Sequence, residues 1–176
     1  MTAAKSYRLS QLVRPLCAAG FFLAGVSVCH AAPAPRFDCR LEVKASQAGQ
    51  PVELHWRLHN PGQQRWRVLV WNTPLEGLLN RYLRVSREGV EVEFDGPMLK
   101  RGAPTAEEYR LLRPRSSLDG RVDLKLAYDL SKPGRYRLEW TGHLHDVAGA
   151  GETVPRANGA MRAVELHCPA VEFSLR

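Results

Sequence analysis

The chain has 176 residues, with 25 Lys and Arg against 18 Asp and Glu, a formal net charge of +7 and 44% hydrophobic residues. That balance sets aside a disordered polyelectrolyte, and the arginines are spread along the chain rather than gathered into the basic, aromatic-laced patch a nucleic acid requires. No nucleic-acid partner is expected.

The first residues have the layout of an export signal. Lys5, Arg8 and Arg14 form a basic start, an apolar run follows from Leu16 to Val28, and small residues arrive at Ala31 and Ala32. The run is well short of the roughly 20 residues a membrane span needs, so no stable membrane anchor is expected. Residues 1–32 are read as a signal peptide and residues 33–176 as a single domain, exported to the periplasm or secreted. Processing removes Cys17 and Cys29 and leaves Cys39 near one end and Cys168 near the other, two thiols that an oxidising compartment pairs as a disulfide.

Beyond the Pro-rich lead, Phe37 to Lys44 alternates apolar and polar side chains, the mark of a half-buried strand. A turn at 47–51 leads to Val52–His59, with Val52, Leu54, Trp56 and Leu58 on one face. Asn60-Pro61-Gly62 turns the chain into Trp66–Trp71, apolar on both faces near its end and so expected in the middle of a sheet. Two short runs around Arg87-Glu88-Gly89 read as a hairpin with Gly89 at positive φ. Thr105 and Glu108 have capping-box spacing, which predicts one helical turn before the strand at Tyr109. A strand over Arg121–Tyr128 is predicted with Val122, Leu124, Leu126 and Tyr128 inward, followed by Tyr136–Thr141. The Gly/Ala-rich segment 148–160 reads as a mobile surface loop, and a last strand over 163–175 bends at Pro169.

No helix of three turns is predicted after residue 32. About seven to nine short strands separated by turn signals give an all-β fold, an antiparallel immunoglobulin-like β-sandwich, with a closed barrel as the alternative.

Three pieces carry a resemblance to a known family. They are Trp71-Asn72-Thr73-Pro74-Leu75-Glu76-Gly77; Asp95-Gly96-Pro97 with Lys100-Arg101-Gly102-Ala103-Pro104 and Glu108-Tyr109; and Tyr128 to Tyr136. In that order and spacing the chain, over about Leu41 to Trp140, resembles the non-catalytic β-sandwich region ahead of the protease domain in secreted, deuterolysin-like peptidyl-Lys zinc metalloendopeptidases. The resemblance implies the accessory fold and an association with proteases. The His-Glu-x-x-His motif that would carry the zinc chemistry does not occur in these residues, so the protease activity is not implied.

The first two pieces also mark the expected binding surface: Trp71, Thr73, Pro74, Leu75, Glu76, Gly77, Met98, Lys100 and Arg101. Proline limits the entropy lost on docking and glycine admits a close backbone approach, which suits a protein or peptide partner, with a secreted protease as the leading candidate. The competing reading is that 73–77 plugs the end of the sandwich. Asn60-Pro61-Gly62 and Arg113-Pro114 show a fainter likeness to the loops of chagasin-type inhibitors.

No enzyme is expected. Ser116, Ser117 and Asp119 lack a positioned base, and adjacent Glu107 and Glu108 cannot oppose one another across a substrate. No cofactor is expected either. The histidine pairs His55/His59 and His143/His145 keep open an alternative, a periplasmic metal-handling protein, which needs a third ligand such as Asp146 or His167 to converge on them.

Overall fold

Alternation of apolar and polar side chains sets which face of each strand turns inward, and hydrogen-bond register then fixes which inward residues meet. The protein, represented by a computed structural model, is described for residues 34–44, 47–48, 50–156 and 159–176. The signal peptide expected over 1–32 lies outside the described residues, as does part of the turn expected at 47–51. Twelve strands are found among the described residues: β1 Asp38–Lys44, β2 Glu53–His59, β3 Trp66–Leu69, β4 Leu83–Arg87, β5 Val90–Val92, β6 Tyr109–Leu112, β7 Ser117–Asp123, β8 Gly134–Trp140, β9 His143–Leu144, β10 Val147–Gly149, β11 Val164–Glu165 and β12 Val171–Leu175. Three-residue 3-10 turns, Ala106–Glu108 and Leu124–Leu126, interrupt them. The count exceeds seven to nine because the later part of the chain forms its strands in two- and three-residue pieces.

All the pairings are antiparallel. One sheet has the order β1-β2-β7, a second β12-β8-β4-β5, a third β10-β3-β6, and β11 pairs with β9. In the first sheet Trp56 stands opposite Leu41 on one side and Gly120 on the other, with Leu54 between Val43 and Val122. In the second, Val85 stands beside Leu138 and Leu83 beside Trp140. The two inward faces close on each other where Trp56 of β2 stacks on Trp140 of β8, ring centroids 6.0 Å apart and planes 24° from parallel. Leu54, Trp56, Leu58, Leu83, Val85 and Leu138 are all wholly buried. Each such side chain contributes about 1.5–3 kcal/mol relative to leaving it in water. This sandwich-like core confirms the all-β reading, and β3 takes its expected central place.

The corner into β8 is fixed locally. The Asp129 carboxylate accepts from the Ser131 amide at 3.0 Å, Leu130 is buried, and the Tyr136 hydroxyl donates back to the Lys132 carbonyl at 2.6 Å. A tyrosine tied to the backbone a few residues upstream is a hallmark of immunoglobulin-like sandwiches. At the β4–β5 hairpin, Glu88 (φ 48°) and Gly89 (φ 82°) both take left-handed backbone, as a two-residue hairpin turn requires.

Two expectations are corrected. The strand predicted over 121–128 ends at Asp123, whose carboxylate accepts from the amides of Val52 (3.0 Å) and Lys125 (3.1 Å) and so caps a 3-10 turn. Leu126, expected inward, is therefore 73% exposed. The segment read as a loop from 148 begins as strand β10, with Ala148 fully buried against β3. Its return is held by buried Asp146, which accepts from the Tyr109 hydroxyl at 2.7 Å, from Arg156 at 2.6 Å and from the Arg162 amide at 2.8 Å.

Cys39 and Cys168 form a disulfide with their Cα atoms 4.7 Å apart, as expected, tying β1 to the segment before β12 across 129 residues of chain. Closing a loop of that size stabilises by about 4–5 kcal/mol in the chain-entropy model. Replacing both cysteines by serine is expected to lower the unfolding free energy by about that amount, read as a reduced denaturant midpoint with a steeper slope, because the unlinked denatured chain exposes more surface.

Candidate functional site

The site begins with the corner that follows β3. The Thr73 hydroxyl donates to the Val70 carbonyl at 2.6 Å and accepts from the Leu75 amide at 3.3 Å, turning the chain sharply. Asn72 (φ 54°) and Gly77 (φ 97°) supply the left-handed backbone that the corner needs. Pro74 then lies on Gly120 of β7, where an added methyl would come within 2.7 Å of the Pro74 backbone and ring. A glycine in the inward row of β7 thus makes room for the corner. Trp71 is 5% exposed, Thr73 is fully buried and Pro74 is buried, so these three residues plug the sandwich rather than face solvent.

The second sequence piece folds onto the first. One Glu76 carboxylate oxygen accepts from the Asn72 amide at 2.7 Å and the other from the Arg101 guanidinium at 2.7 Å. The Arg101 guanidinium lies over the Trp71 ring, 5.3 Å from its centroid, and the Trp71 indole N–H donates to Glu108 at 2.7 Å. Glu108 also accepts from the Thr105 amide at 2.7 Å, the closing half of the expected capping box. Further along, the Leu99 amide donates to the Leu79 carbonyl at 3.1 Å, and Asp95 to Ala127 at 2.8 Å. The loop from Asp95 to Pro104 is therefore pinned at both ends and once near its middle.

The electrostatics follow from depth. Burial raises the pKa of Glu76 above the usual carboxylate range, opposed by the Asn72 amide and Arg101. The Trp71 indole, chiefly, holds Glu108 below that range. With side-chain exposures of 22% for Arg101 and 10% for Glu76, the ion pair is shielded from water and less screened by salt than a surface bridge, its attraction set against the desolvation of Glu76. Leu75 and Gly77 are half-buried. What remains exposed is the tip of the loop: Met98 at 66%, Leu99 at 43% and Lys100.

The expected surface thus divides. Trp71, Thr73, Pro74, Glu76 and Arg101 hold the loop, while Met98 and Lys100 are presented by it. Leu99 was missed because nothing local distinguishes it from a core leucine.

The histidines fall in two places. His55 is bonded to Glu53, and His59 lies 3.2 Å from Ser117 Oγ. His143 and His145 lie ring against ring at a centroid distance of 4.3 Å beside the corner, where Asn72 Nδ2 is 2.6 Å from His145 Nε2. Asp146 is engaged by Tyr109 and Arg156. Among the described residues no three His, Cys, Asp or Glu side chains converge to hold a metal.

Two substitutions test this geometry. Gly120→Ala is expected to cost about 1–3 kcal/mol, as overpacking does, because Pro74 backbone is what the methyl meets; chemical denaturation measures it. Arg101→Gln is expected to cost about 1–3 kcal/mol by leaving buried Glu76 without its cation, and to shift Trp71 fluorescence.

No family model matches the chain. It is 30% identical to an extracellular protease of Aeromonas hydrophila over 73% of this chain and 32% of that protein. It is 25% identical to a probable neutral protease 2 homolog of Arthroderma benhamiae over 84% of this chain and 40% of the relative, and 24% identical to a neutral protease 2 homolog of Arthroderma gypseum over 80% and 39%. The chain spans about a third to two-fifths of the length of these relatives. Consistent with the resemblance seen in its sequence, the chain is related to a region of deuterolysin-like proteases.

Proposed function

We propose that the chain is an exported, non-enzymatic β-sandwich module that binds a protein or peptide partner through the loop tip Met98–Lys100, with a secreted protease as the partner. The observation that carries this reading is the clamped loop: Arg101, held by Glu76 and Trp71, fixes a segment whose apolar Met98 and Leu99 stay in water. A loop ordered before binding loses little conformational entropy on docking, and exposed apolar side chains gain by being covered. A protease as the class of partner is supported by the kinship with proteins that are themselves named proteases. The Cys39–Cys168 disulfide suits an oxidising compartment, and one relative is named extracellular. Accessory, chaperone-like and inhibitory roles share this docking step.

The test mixes the purified protein with the Aeromonas hydrophila extracellular protease and with a fungal neutral protease 2, and follows complex formation by gel filtration and casein hydrolysis by initial rate. A complex or altered rate is expected with at least one, and the double variant Met98→Asp, Lys100→Glu is expected to weaken it at least about tenfold, the equivalent of ~1.4 kcal/mol. No complex and no change in rate with either enzyme would overturn the proposal. Casein hydrolysis by the protein alone would overturn its non-enzymatic part.

A further inference from the structure

The corner that anchors the loop is joined to the paired histidines by a single amide. Asn72 Oδ1 accepts from Asn80 Nδ2 at 2.8 Å, so Asn72 Nδ2 faces His145 Nε2, 2.6 Å away. In that arrangement His145 is neutral, accepts at Nε2 and carries its proton on Nδ1. Asn80 also donates to the Leu99 carbonyl at 3.4 Å, and the Asn72 amide donates to Glu76, which holds Arg101. The histidine is thereby connected to the loop through the Asn72 and Asn80 side chains to Leu99, while the backbone N–H of the same Asn72 holds Glu76 and with it Arg101.

The geometry points to an acid-operated latch: protonation of His145 breaks its bond to Asn72 and loosens the loop that presents Met98, Leu99 and Lys100. A protonated Nε2 sets two donors against each other. The only local remedy, turning the Asn72 amide over, places its nitrogen against the Asn80 nitrogen and breaks that bond instead. One link to the loop is lost either way.

His143, at the start of β9, lies with its ring tilted against that of His145, and Glu165 stands opposite His143 in the β9–β11 pair. From the loop side comes the Arg101 cation, with Glu76 and Glu108 beyond it. Burial first, then His143 and Arg101, keep the His145 pKa below its ordinary 6.5. The folded state accordingly binds fewer protons here than the unfolded state. The stabilisation is complete above about 6.5 and is lost as the pH falls toward the lowered folded value. Glu108 responds in a separate, more acidic window, below the ordinary carboxylate value of 4.5.

The inference concerns the chain alone and survives if no protease binds. Its test is hydrogen exchange at the Leu99 amide, corrected for intrinsic rate, between pH 7.5 and 5, together with the Trp71 fluorescence contribution obtained by difference from Trp71→Phe. Leu99 protection is expected to fall about tenfold as the pH passes below 6.5. In His145→Gln, whose side-chain oxygen accepts from Asn72 at every pH, the change is expected to shrink to the part that Glu76, its pKa raised by burial, contributes through Arg101. Should His145→Gln fold poorly, Asn80→Ala, which removes the Leu99 link, is expected to lower Leu99 protection at pH 7.5 and shrink its pH response. Unchanged Leu99 protection across this range in the unsubstituted protein, or an undiminished acid response in His145→Gln, would overturn the latch.

Discussion

The Arg101–Glu76 ion pair is the interaction on which the candidate surface depends. A loop with two prolines, two glycines and no regular structure has no reason of its own to hold one shape. It does so because a guanidinium is fixed on one side by a carboxylate that is mostly out of water and on the other by the face of an indole. Both partners come from the corner after β3, and that corner is held by Pro74 resting where β7 has no side chain. Loop, corner and sandwich form one chain of support. Removing any step frees the step above it and leaves the step below in place.

This division of labour explains why residues of such different burial belong to one surface. Trp71 and Thr73 are inside the protein, yet they hold the corner on which Arg101 and the loop that presents Met98 and Leu99 rest. Rigid support beneath exposed apolar tips is what separates a docking loop from a linker.

Local pattern made much of this legible. The alternation in Val52–His59 gave β2 and its buried face, Gly89 marked the hairpin, and Thr105 with Glu108 marked the helical turn at Ala106–Glu108. Cys39 and Cys168 announced their pairing because the other two cysteines, Cys17 and Cys29, fall in the segment expected to be cut away. What remained hidden is what local pattern cannot encode. Leu126 alternates correctly with Leu124, but the Asp123 carboxylate captures the chain into a 3-10 turn and points Leu126 outward. Ala148 reads as loop until β3 is there to cover it. Gly120 gains its meaning only from Pro74, and Asn72 meets His145 across 73 residues of sequence, a distance no motif spans. The sequence pieces 71–77 and 95–104 could each be noticed, but that Glu76 and Arg101 meet is a property of the fold.

The most direct measurement of this account is backbone 15N relaxation across residues 96–101 in the intact protein at neutral pH. A clamped loop predicts order parameters near the ~0.85 of the surrounding strands, falling only at the exposed tip. Values below about 0.6 through Arg101 itself would show that the ion pair does not hold the loop, and would contradict the account.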